Sequence, residues 1–275
     1  FSPAVTTAPG GLSLCRRLSR RSVLAAAAAF ALAAGPAAAQ EDAPVVAIAS
    51  DLQFALQEIA AKFKEETGTE VRLSIGSTGN FARQIREGAP FQVFMAADEK
   101  FIADLHADGF TRDEGDLYAV GRVVIMAPHG SKLTPDPELN NLAEMLAAGQ
   151  ITRFAIANPE HAPYGMRARE ALITKGIWDD LQPFMVLGEN VSQAAQFSLS
   201  NNAEGGIIAY SLALSPQIAP QGTYELIPED WHKPLRQRMA LLNNAGEVAE
   251  AFYAYMMEPT AREIMERYGF VLPEE

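Results

Sequence analysis

The stretch VRLSIGSTGNFARQIRE, residues 71–87, joins a strand-like run, a polar loop bounded by glycines and a helix-like run. Gly76 and Gly79 let the backbone pass close to a ligand, and Ser77 and Thr78 between them carry hydroxyls that can donate hydrogen bonds. The following helix aims free backbone N–H groups at the loop, where they stabilise negative charge. We interpret the loop as an oxyanion-binding site, while noting that the same residues suit an ordinary capped turn.

The units around this stretch repeat the order strand, polar loop, helix. Short apolar runs indicate buried strands, and apolar residues at helical spacing indicate the helices. We predict strands at residues 45–49, 69–75, 91–96, 118–126, 154–157, 184–187, 206–209, 224–227 and 239–242. We predict helices at residues 52–68, 80–87, 100–107, 142–148, 166–175, 191–199, 247–257 and 260–268. This alternation is typical of α/β folds whose sheets are mainly parallel.

The same order of elements predicts two lobes with a ligand cleft between them. The first lobe comprises residues 44–121 together with 236–275, and the second comprises residues 122–235. The chain crosses between lobes near Gly121 and returns near Leu235, and neither crossing has a low-complexity linker. We therefore expect paired hinge strands rather than a loose tether.

The N-terminal segment, residues 1–39, has the pattern of an export signal that is removed. Four arginines between residues 16 and 21 precede an apolar run at 23–34 and a small-residue stretch at 35–39. Residues 19–24, SRRSVL, resemble the bacterial twin-arginine signal, although general secretion uses similar arginines. We predict a periplasmic protein with no stable membrane insertion, since no later apolar stretch reaches about twenty residues.

Charge and cysteine content narrow the classes of partner. The formal net charge of -12 argues against nucleic acid and anionic membranes, because both require a basic face. It does not argue against a buried anion, since surface carboxylates beyond about 10 Å are screened at physiological salt. The single cysteine, Cys15, lies in the predicted signal, so we expect no disulfide after processing.

Four loops of the predicted fold end a strand and open a helix, two in each lobe. Ligands of open α/β sheets bind beyond the carboxyl ends of strands, so a cleft between lobes could gather all four loops around one small anion. Each loop alone also suits a helix cap or an interfacial aromatic residue. The four loops are Ser50-Asp51, Ser77-Thr78, Pro163-Tyr164-Gly165 and Asn190-Val191-Ser192.

Several motifs in this order and spacing resemble a known family. They are AIASDL at 47–52, GSTG at 76–79, ARQI at 82–85, GAP at 88–90, AAD at 96–98, NPEHAPYG at 158–165 and RYGF at 267–270. Together they resemble the periplasmic molybdate-binding proteins of ABC importers. The resemblance implies a type II two-lobed periplasmic binding protein fold that closes on molybdate or tungstate. It also implies a monomer with no cofactor that delivers this small oxyanion to a membrane permease.

The resemblance also implies the ligand-binding residues. It assigns side-chain hydroxyls to the first lobe and main-chain N–H groups to the second, so the side chains of the second lobe could vary. The implied residues are Ser50, Asp51, Thr78, Tyr164, Val191 and, one position later than the family's alignment suggests, Tyr210. To these we add Ser77 from the loop itself as a predicted ligand-binding residue.

Asp51 departs from the family pattern, which has Ser or Asn at this position. A carboxylate beside a dianion raises the free energy unless it turns away or is protonated. We expect the Asp51 backbone N–H to serve the ligand while its side chain caps the following helix. A carboxyl could instead accept a proton from a protonated anion or help to hold a cation.

Two other functions remain as alternatives. One is capture of another anion, such as sulfate, a phosphate-like ion or a small organic anion. The absence of Lys and Arg from the four loops favours neutral donors, a fully deprotonated ligand and selection by size. The other is an exported hydrolase, but no Gly-x-Ser-x-Gly elbow or paired metal-binding histidines occur, and we interpret His161 as a surface residue. We predict a binding protein that is not an enzyme and has no direct metal-cation ligands.

Overall fold

Strands and helices alternate along residues 43–200 and 202–273, the part of the chain that the computed structural model describes. The strands are β1 (Val45–Ala49), β2 (Arg72–Gly76), β3 (Val93–Ala96), β4 (Asp116–Gly121), β5 (Val123–Pro128), β6 (Phe154–Ala157), β7 (Met185–Gly188), β8 (Gly205–Ala209), β9 (Gly222–Leu226) and β10 (Leu235–Leu241). The helices are α1 (Gln53–Thr67), α2 (Thr78–Arg86), α3 (Glu99–Ala107), α4 (Asn140–Ala147), α5 (Pro163–Lys175), α6 (Trp178–Leu181), α7 (Val191–Ser198), α8 (Tyr210–Ala213), α9 (Glu247–Tyr255) and α10 (Pro259–Arg267). The predicted export signal, residues 1–39, lies outside the described residues.

The strands form two mixed sheets of five. The first has the order β2-β1-β3-β10-β4, and the second has the order β7-β6-β8-β5-β9. In each sheet three neighbouring strands are parallel, and the remaining two run antiparallel to their neighbours. The prediction of a two-lobed α/β fold is confirmed, with more antiparallel pairing than a mainly parallel sheet would have.

The chain crosses between the sheets at Arg122. We predicted one strand over residues 118–126, and this is wrong: β4 ends at Gly121 and β5 begins at Val123. The two halves hydrogen-bond to different partners, β4 to β10 in the first sheet and β5 to β8 and β9 in the second. The chain returns at Leu235, which pairs with Gly121 in the antiparallel register. The two connecting segments therefore lie side by side.

Aromatic contacts fasten the C-terminal helices to the first sheet's core. Phe63 on α1 meets Phe252 on α9 edge to face, with ring centroids 5.2 Å apart, and both side chains are buried. Such pairs add about 0.5–1.5 kcal/mol beyond the burial of their area. The core of the second sheet also includes two residues of the first lobe, Ala49 at the end of β1 and Ala97 directly after β3. Apolar packing is thus continuous between the two lobes.

Four parallel strands end where a polar loop or helix begins, and their ends position the candidate site. A 3-10 turn at Ser50–Leu52 follows β1, and α2 follows β2 with Ser77 as its N-cap. In the other lobe, α5 begins with Pro163 at its first position, a placement that suits proline because no N–H is needed there. Asn190 caps α7 directly after β7. Thr78 and Tyr164 therefore lie in first helical turns. Helix α2 begins two residues before its predicted start, and α5 begins three residues before its predicted start.

Candidate functional site

A small hollow between the two lobes gathers the four loops. The volume of its interior is about 10 Å³, far below the roughly 300–1,000 Å³ of pockets for drug-sized ligands. The hollow therefore suits a small solute. The first lobe lines it with four polar residues, Ser50, Asp51, Ser77 and Thr78. The residues that line it from the second lobe include Tyr164 and Val191.

Thr78 presents a neutral hydroxyl that is free to donate. Its side chain is fully buried, and its Oγ1 accepts a hydrogen bond of 3.0 Å from the Ala97 N–H. Because that bond uses a lone pair, the hydroxyl proton is left for an acceptor in the hollow. The arrangement holds the oxygen in place while directing its proton outward.

The first turn of α2 also leaves one main-chain donor free at the hollow. The Gly79 N–H donates to the His161 carbonyl at 2.8 Å, and the Asn80 N–H donates to Ser77 Oγ at 3.4 Å. Among the hydrogen bonds of the described residues, the Thr78 N–H has no partner in this turn. The unpaired N–H groups of a first turn carry partial positive charge and stabilise anions.

Ser77 bridges the lobes through His161. Its Oγ forms a hydrogen bond of 2.8 Å with His161 Nδ1 and also accepts the Asn80 N–H at 3.4 Å. The other ring nitrogen, Nε2, lies 3.9 Å from Oε2 of Glu189. The other carboxylate oxygen of Glu189, Oε1, accepts a hydrogen bond from the Asn80 side-chain amide. The interpretation of His161 as a surface residue is wrong, since its side chain is only 20% exposed. Ser77 is engaged at the rim of the hollow.

Ser50 forms a second polar contact between the lobes. Its Oγ accepts the Ser192 N–H at 3.1 Å, and its carbonyl accepts the Ser192 hydroxyl at 2.9 Å. As with the threonine, the bond to Oγ occupies a lone pair and leaves the Ser50 proton available. Ser50 is 3% exposed, so a ligand in the hollow is its accessible acceptor.

The second lobe contributes main-chain donors at the start of α7. The Ser192 N–H donates to Ser50 Oγ of the first lobe. The Gln193 N–H donates to the Asn190 side chain, and the Ala194 N–H donates to the Asn190 carbonyl. The Val191 N–H is left at the hollow, and its position does not depend on the valine side chain. The end of β7 and the Asn190 cap fix this donor.

The start of α5 supplies main-chain donors in the same way. Pro163 has no N–H, and the Met166 N–H donates to the Ala162 carbonyl at 3.0 Å, so the Tyr164 and Gly165 N–H groups belong to the free first turn. Gly165 packs against the end of β6, where an added Cβ would lie 2.1 Å from the Ala157 carbonyl oxygen. Only glycine allows this helix start to approach the strand so closely.

Asp51 lies in the hollow with a buried carboxyl. It is 1% exposed, its Oδ2 accepts a hydrogen bond of 2.7 Å from Gln237 Nε2, and its Oδ1 has no hydrogen-bond partner among the described residues. Burial raises the pKa of Asp51 to about 7, although hydrogen bonding, first from Gln237 and then from Tyr164 and the local backbone, opposes the shift. The expectation that this side chain caps the following helix is wrong: no side-chain cap is formed, because Gln237 on β10 takes the carboxyl.

Gln237 organises a buried hydrogen-bond network beneath the hollow. Its Oε1 accepts from the Tyr118 hydroxyl at 2.8 Å, and its Nε2 donates to Asp51 and, at 3.1 Å, to the Tyr164 hydroxyl. Burial and the neighbouring Asp51 carboxyl raise the pKa of both tyrosines well above the ordinary value, so both stay protonated. At Gly121 an added Cβ would lie 2.2 Å from the Tyr164 hydroxyl oxygen. The Tyr164 side chain thus reaches the lobe crossing.

The sequence analysis did not identify Gln237 or Tyr118. One signal could have found the glutamine. In the strand LRQRMAL it shares the buried face with Leu235 and Met239, which lie two residues before and after it. A polar residue at such a position needs a buried partner.

Tyr210 does not line the hollow, which corrects the expectation that it contributes to the site. Its N–H donates to the Arg122 carbonyl at 2.9 Å, which fixes the start of α8. Its ring packs near Tyr224, with centroids 5.8 Å apart, and an added Cβ on Gly269 would lie 2.7 Å from it. The ring therefore serves packing between β9 and the C-terminal segment.

No Lys or Arg side chain lines the hollow among the described residues. An ion pair outside it joins the lobes, with Arg167 Nη2 2.6 Å from Asp98 Oδ2 and both side chains largely buried. Within residues 43–200 and 202–273, no cluster of three or more His, Cys, Asp or Glu side chains is arranged to hold a metal ion. Every helix in that part of the chain is too short or too polar to cross a membrane.

Comparisons with known proteins show the family of the chain. Residues 44–271 match the family model described as bacterial extracellular solute-binding protein. The molybdate-binding protein ModA of Rhodobacter capsulatus is 34% identical over 253 residues, covering 90% of this chain and 96% of that protein. ModA of Escherichia coli strain K12 is 36% identical, covering 90% and 95%. The solved structure of the Azotobacter vinelandii periplasmic molybdate-binding protein superimposes with a TM-score of 0.75 at 30% identity, covering 84% of this chain and 100% of that chain.

Proposed function

The chain belongs to the bacterial extracellular solute-binding protein family, and on this premise we propose that it captures molybdate or tungstate between its two lobes. The bound oxyanion is then delivered to the membrane permease of an ABC importer. The observation that carries the proposal is the small hollow in which uncharged hydroxyl and N–H donors from both lobes converge without a cationic side chain. Its relatives named as molybdate-binding proteins support the choice of ligand.

We assign the ligand contacts to both walls of the hollow. The hydroxyls of Ser50 and Thr78 donate from the first lobe, and the N–H groups of Tyr164 and Val191 donate from the second. The protons of the two hydroxyls and the two N–H groups are not committed elsewhere, as their other bonds show. Ser77 is bonded to His161 at the rim. We therefore propose that it supports the rim and does not donate to the ligand directly, unlike the expectation from the sequence.

The lobes close around the ligand by bending where the chain crosses. The first lobe comprises residues 44–121 with 236–275, the second comprises residues 122–235, and the paired crossing at Gly121 and Leu235 is the hinge. Hydrogen bonds between the lobes, such as those of Ser50 with Ser192, form only when the lobes meet. Closure is favoured by the ligand because all donors reach it only in the closed form.

Selectivity follows from the neutral donors and the size of the hollow. Dipoles that are fixed by helix starts replace the hydration shell of a dianion without a counter-charge. Sulfate is smaller and leaves some donors unmet, which costs about 1–3 kcal/mol for each buried group without a partner. Molybdate and tungstate, which are close in size, are both accepted.

The contact between Ser77 and His161 resembles a nucleophile and base, but we propose a binding rather than a catalytic role. Ser77 Oγ accepts the Asn80 N–H as the cap of α2, so the hydroxyl is part of the helix start. The Glu189 carboxylate, 3.9 Å from the ring, is bonded by the Asn80 amide instead of orienting the imidazole. We place the protein in the periplasm, in line with its periplasmic relative, and expect it to act as a monomer.

Isothermal titration calorimetry with the purified protein tests the proposal. Molybdate and tungstate should each bind one ion per chain, with affinities far above those of sulfate and phosphate. The variant Tyr210→Phe is the matched control and should bind as the native protein does, because this tyrosine lies outside the hollow. Tight sulfate binding with no heat from molybdate would overturn the assignment.

A further inference from the structure

The buried carboxyl of Asp51 is the feature of the hollow that the proposed function does not explain. It lines the hollow beside the donors of Ser50 and Thr78, and its Oδ1 has no hydrogen-bond partner among the described residues. Buried polar atoms are nearly always paired, so an unpaired carboxyl oxygen of a residue that lines a ligand hollow points to a contact with the ligand.

An ionised carboxylate is incompatible with a dianion at this place. Like charges repel strongly where water is excluded, and no cationic side chain of the described residues lines the hollow to offset the repulsion. The Gln237 amide bonds one carboxyl oxygen but brings no charge. A neutral carboxylic acid, in contrast, offers an O–H donor of the same kind as the neighbouring hydroxyls.

We propose that Asp51 enters the complex with one proton, which lies between its free carboxyl oxygen and the bound oxyanion. This rests on the proposed function and deepens it, since capture of a dianion becomes coupled to the uptake of one proton from solvent. The statement does not depend on which oxygen holds the proton, because a neutral acid with a dianion and a carboxylate with a protonated anion contain the same atoms. Asp51 is then a direct ligand of the bound anion.

Asp51 is the group in the hollow that can change charge near neutral pH. The phenols packed against it, Tyr118 on β4 and Tyr164 on α5, stay protonated because burial and the carboxyl raise their pKa. On α8, Ser211 donates to the Asp51 carbonyl and does not titrate. Burial raises the pKa of Asp51 itself to about 7, which agrees with a proton held at this place.

The charged groups on the adjoining loops are engaged with each other. Asp98, next to the hollow residue Ala97, pairs with Arg167 at 2.6 Å. Glu189 faces His161 at 3.9 Å on the rim. Neither pair donates to the Asp51 carboxyl.

The coupling has a definite sign. Below the Asp51 pKa the acid is already protonated, so binding takes up no proton and the affinity does not vary with pH. Above that pKa each captured ion requires one proton, so the affinity falls about tenfold for each pH unit.

The test uses the native protein and molybdate over pH 6 to 9, a range in which molybdate itself carries no proton. Calorimetry at pH 8.5 in two buffers of different ionisation enthalpy should show uptake of about one proton per ion. Between pH 8 and 9 the affinity should fall about tenfold. Asp51→Asn replaces the acid with a neutral N–H donor and should bind with no pH dependence, exceeding the native affinity at pH 9.

The control variant is Asp104→Asn, which removes the same charge from the exposed face of α3 and should keep the native pH slope. Binding of molybdate without proton uptake, or a pH slope that persists in Asp51→Asn, would overturn the inference. Absence of molybdate binding at every pH would instead overturn the proposed function. If circular dichroism shows that Asp51→Asn is unfolded, the proton count of the native protein decides alone.

Discussion

The two walls of the hollow occupy equivalent places in their lobes but are built from different chemical groups. Both lie at the carboxyl ends of parallel strands. The first lobe presents side chains, the hydroxyls of Ser50 and Thr78 and the carboxyl of Asp51. The second presents main-chain N–H groups, at Tyr164 and Val191. Substitutions in the first wall remove donors, whereas most substitutions in the second leave the donors in place.

Thr78→Val tests the first wall and has the largest expected effect. The hydroxyl accepts the Ala97 N–H and, in the proposed complex, donates to the ligand, so its loss should leave both without their bond. We expect the affinity for molybdate to fall by on the order of 3 kcal/mol, about a hundredfold. Thr223→Val, at an exposed position of β9, is the matched control and should bind normally. A native affinity in a folded Thr78→Val protein would remove this residue from the site.

Gly79→Ala tests the contact between the walls. An added Cβ would lie 2.6 Å from the His161 carbonyl oxygen, so the lobes must separate or the loop must shift. Overpacking of this kind costs about 1–3 kcal/mol, and we expect binding to weaken roughly thirtyfold.

The control for this change is Gly246→Ala, where the Cβ would have no neighbour nearer than 3.6 Å. Small-angle X-ray scattering measures closure as a decrease of the radius of gyration on addition of molybdate. That decrease should be reduced in Gly79→Ala and normal in Gly246→Ala. Full closure in Gly79→Ala would show that the rim contact is dispensable.

Val191→Ala tests the second wall and has the smallest expected effect on binding. The N–H remains at the start of α7, held by the Asn190 cap, so the affinity should change less than about threefold, under 1 kcal/mol. The buried side chain does contribute to folding, and its truncation should lower the free energy of unfolding by about 1–3 kcal/mol. Calorimetry and urea unfolding measure the two separately. A hundredfold loss of affinity would mean that the valine side chain contributes to the site.

The sequence predicts the fold where the signal is local. The polar residues that follow the apolar runs locate the ends of β1, β2, β6 and β7, and hence the four loops. It predicts the crossing near Gly121 but not the division into two strands, because the apolar residues of 118–126 continue on both sides of Gly121 and Arg122, and remote hydrogen-bond partners separate the two halves. The starts of α2 and α5 are displaced because Thr78 and Pro163 belong to first turns, where cap geometry and not apolar periodicity decides the boundary.

The candidate site is divided in the same way. Hydroxyls beside glycines mark the loop of Thr78 in the sequence, and the family resemblance supplied the main-chain donors, which no side chain can reveal. The environment of Asp51 was beyond the reach of local patterns, since its partner Gln237 lies 186 positions away on the strand that returns from the other lobe. Tyr210 was misplaced because one residue of register decides whether a side chain faces the hollow or the opposite side.

The order of the strands makes the second lobe a single uninterrupted stretch of chain. Strands β5 to β9 follow one another in the chain and all belong to the second sheet. Gly121 and Leu235, which flank this stretch, pair side by side. Recombination between two related genes at these two points would exchange the segment between them as one unit, together with all of its main-chain donors. The anion preference of one relative could thus be combined with the hydroxyls of another without rebuilding either half.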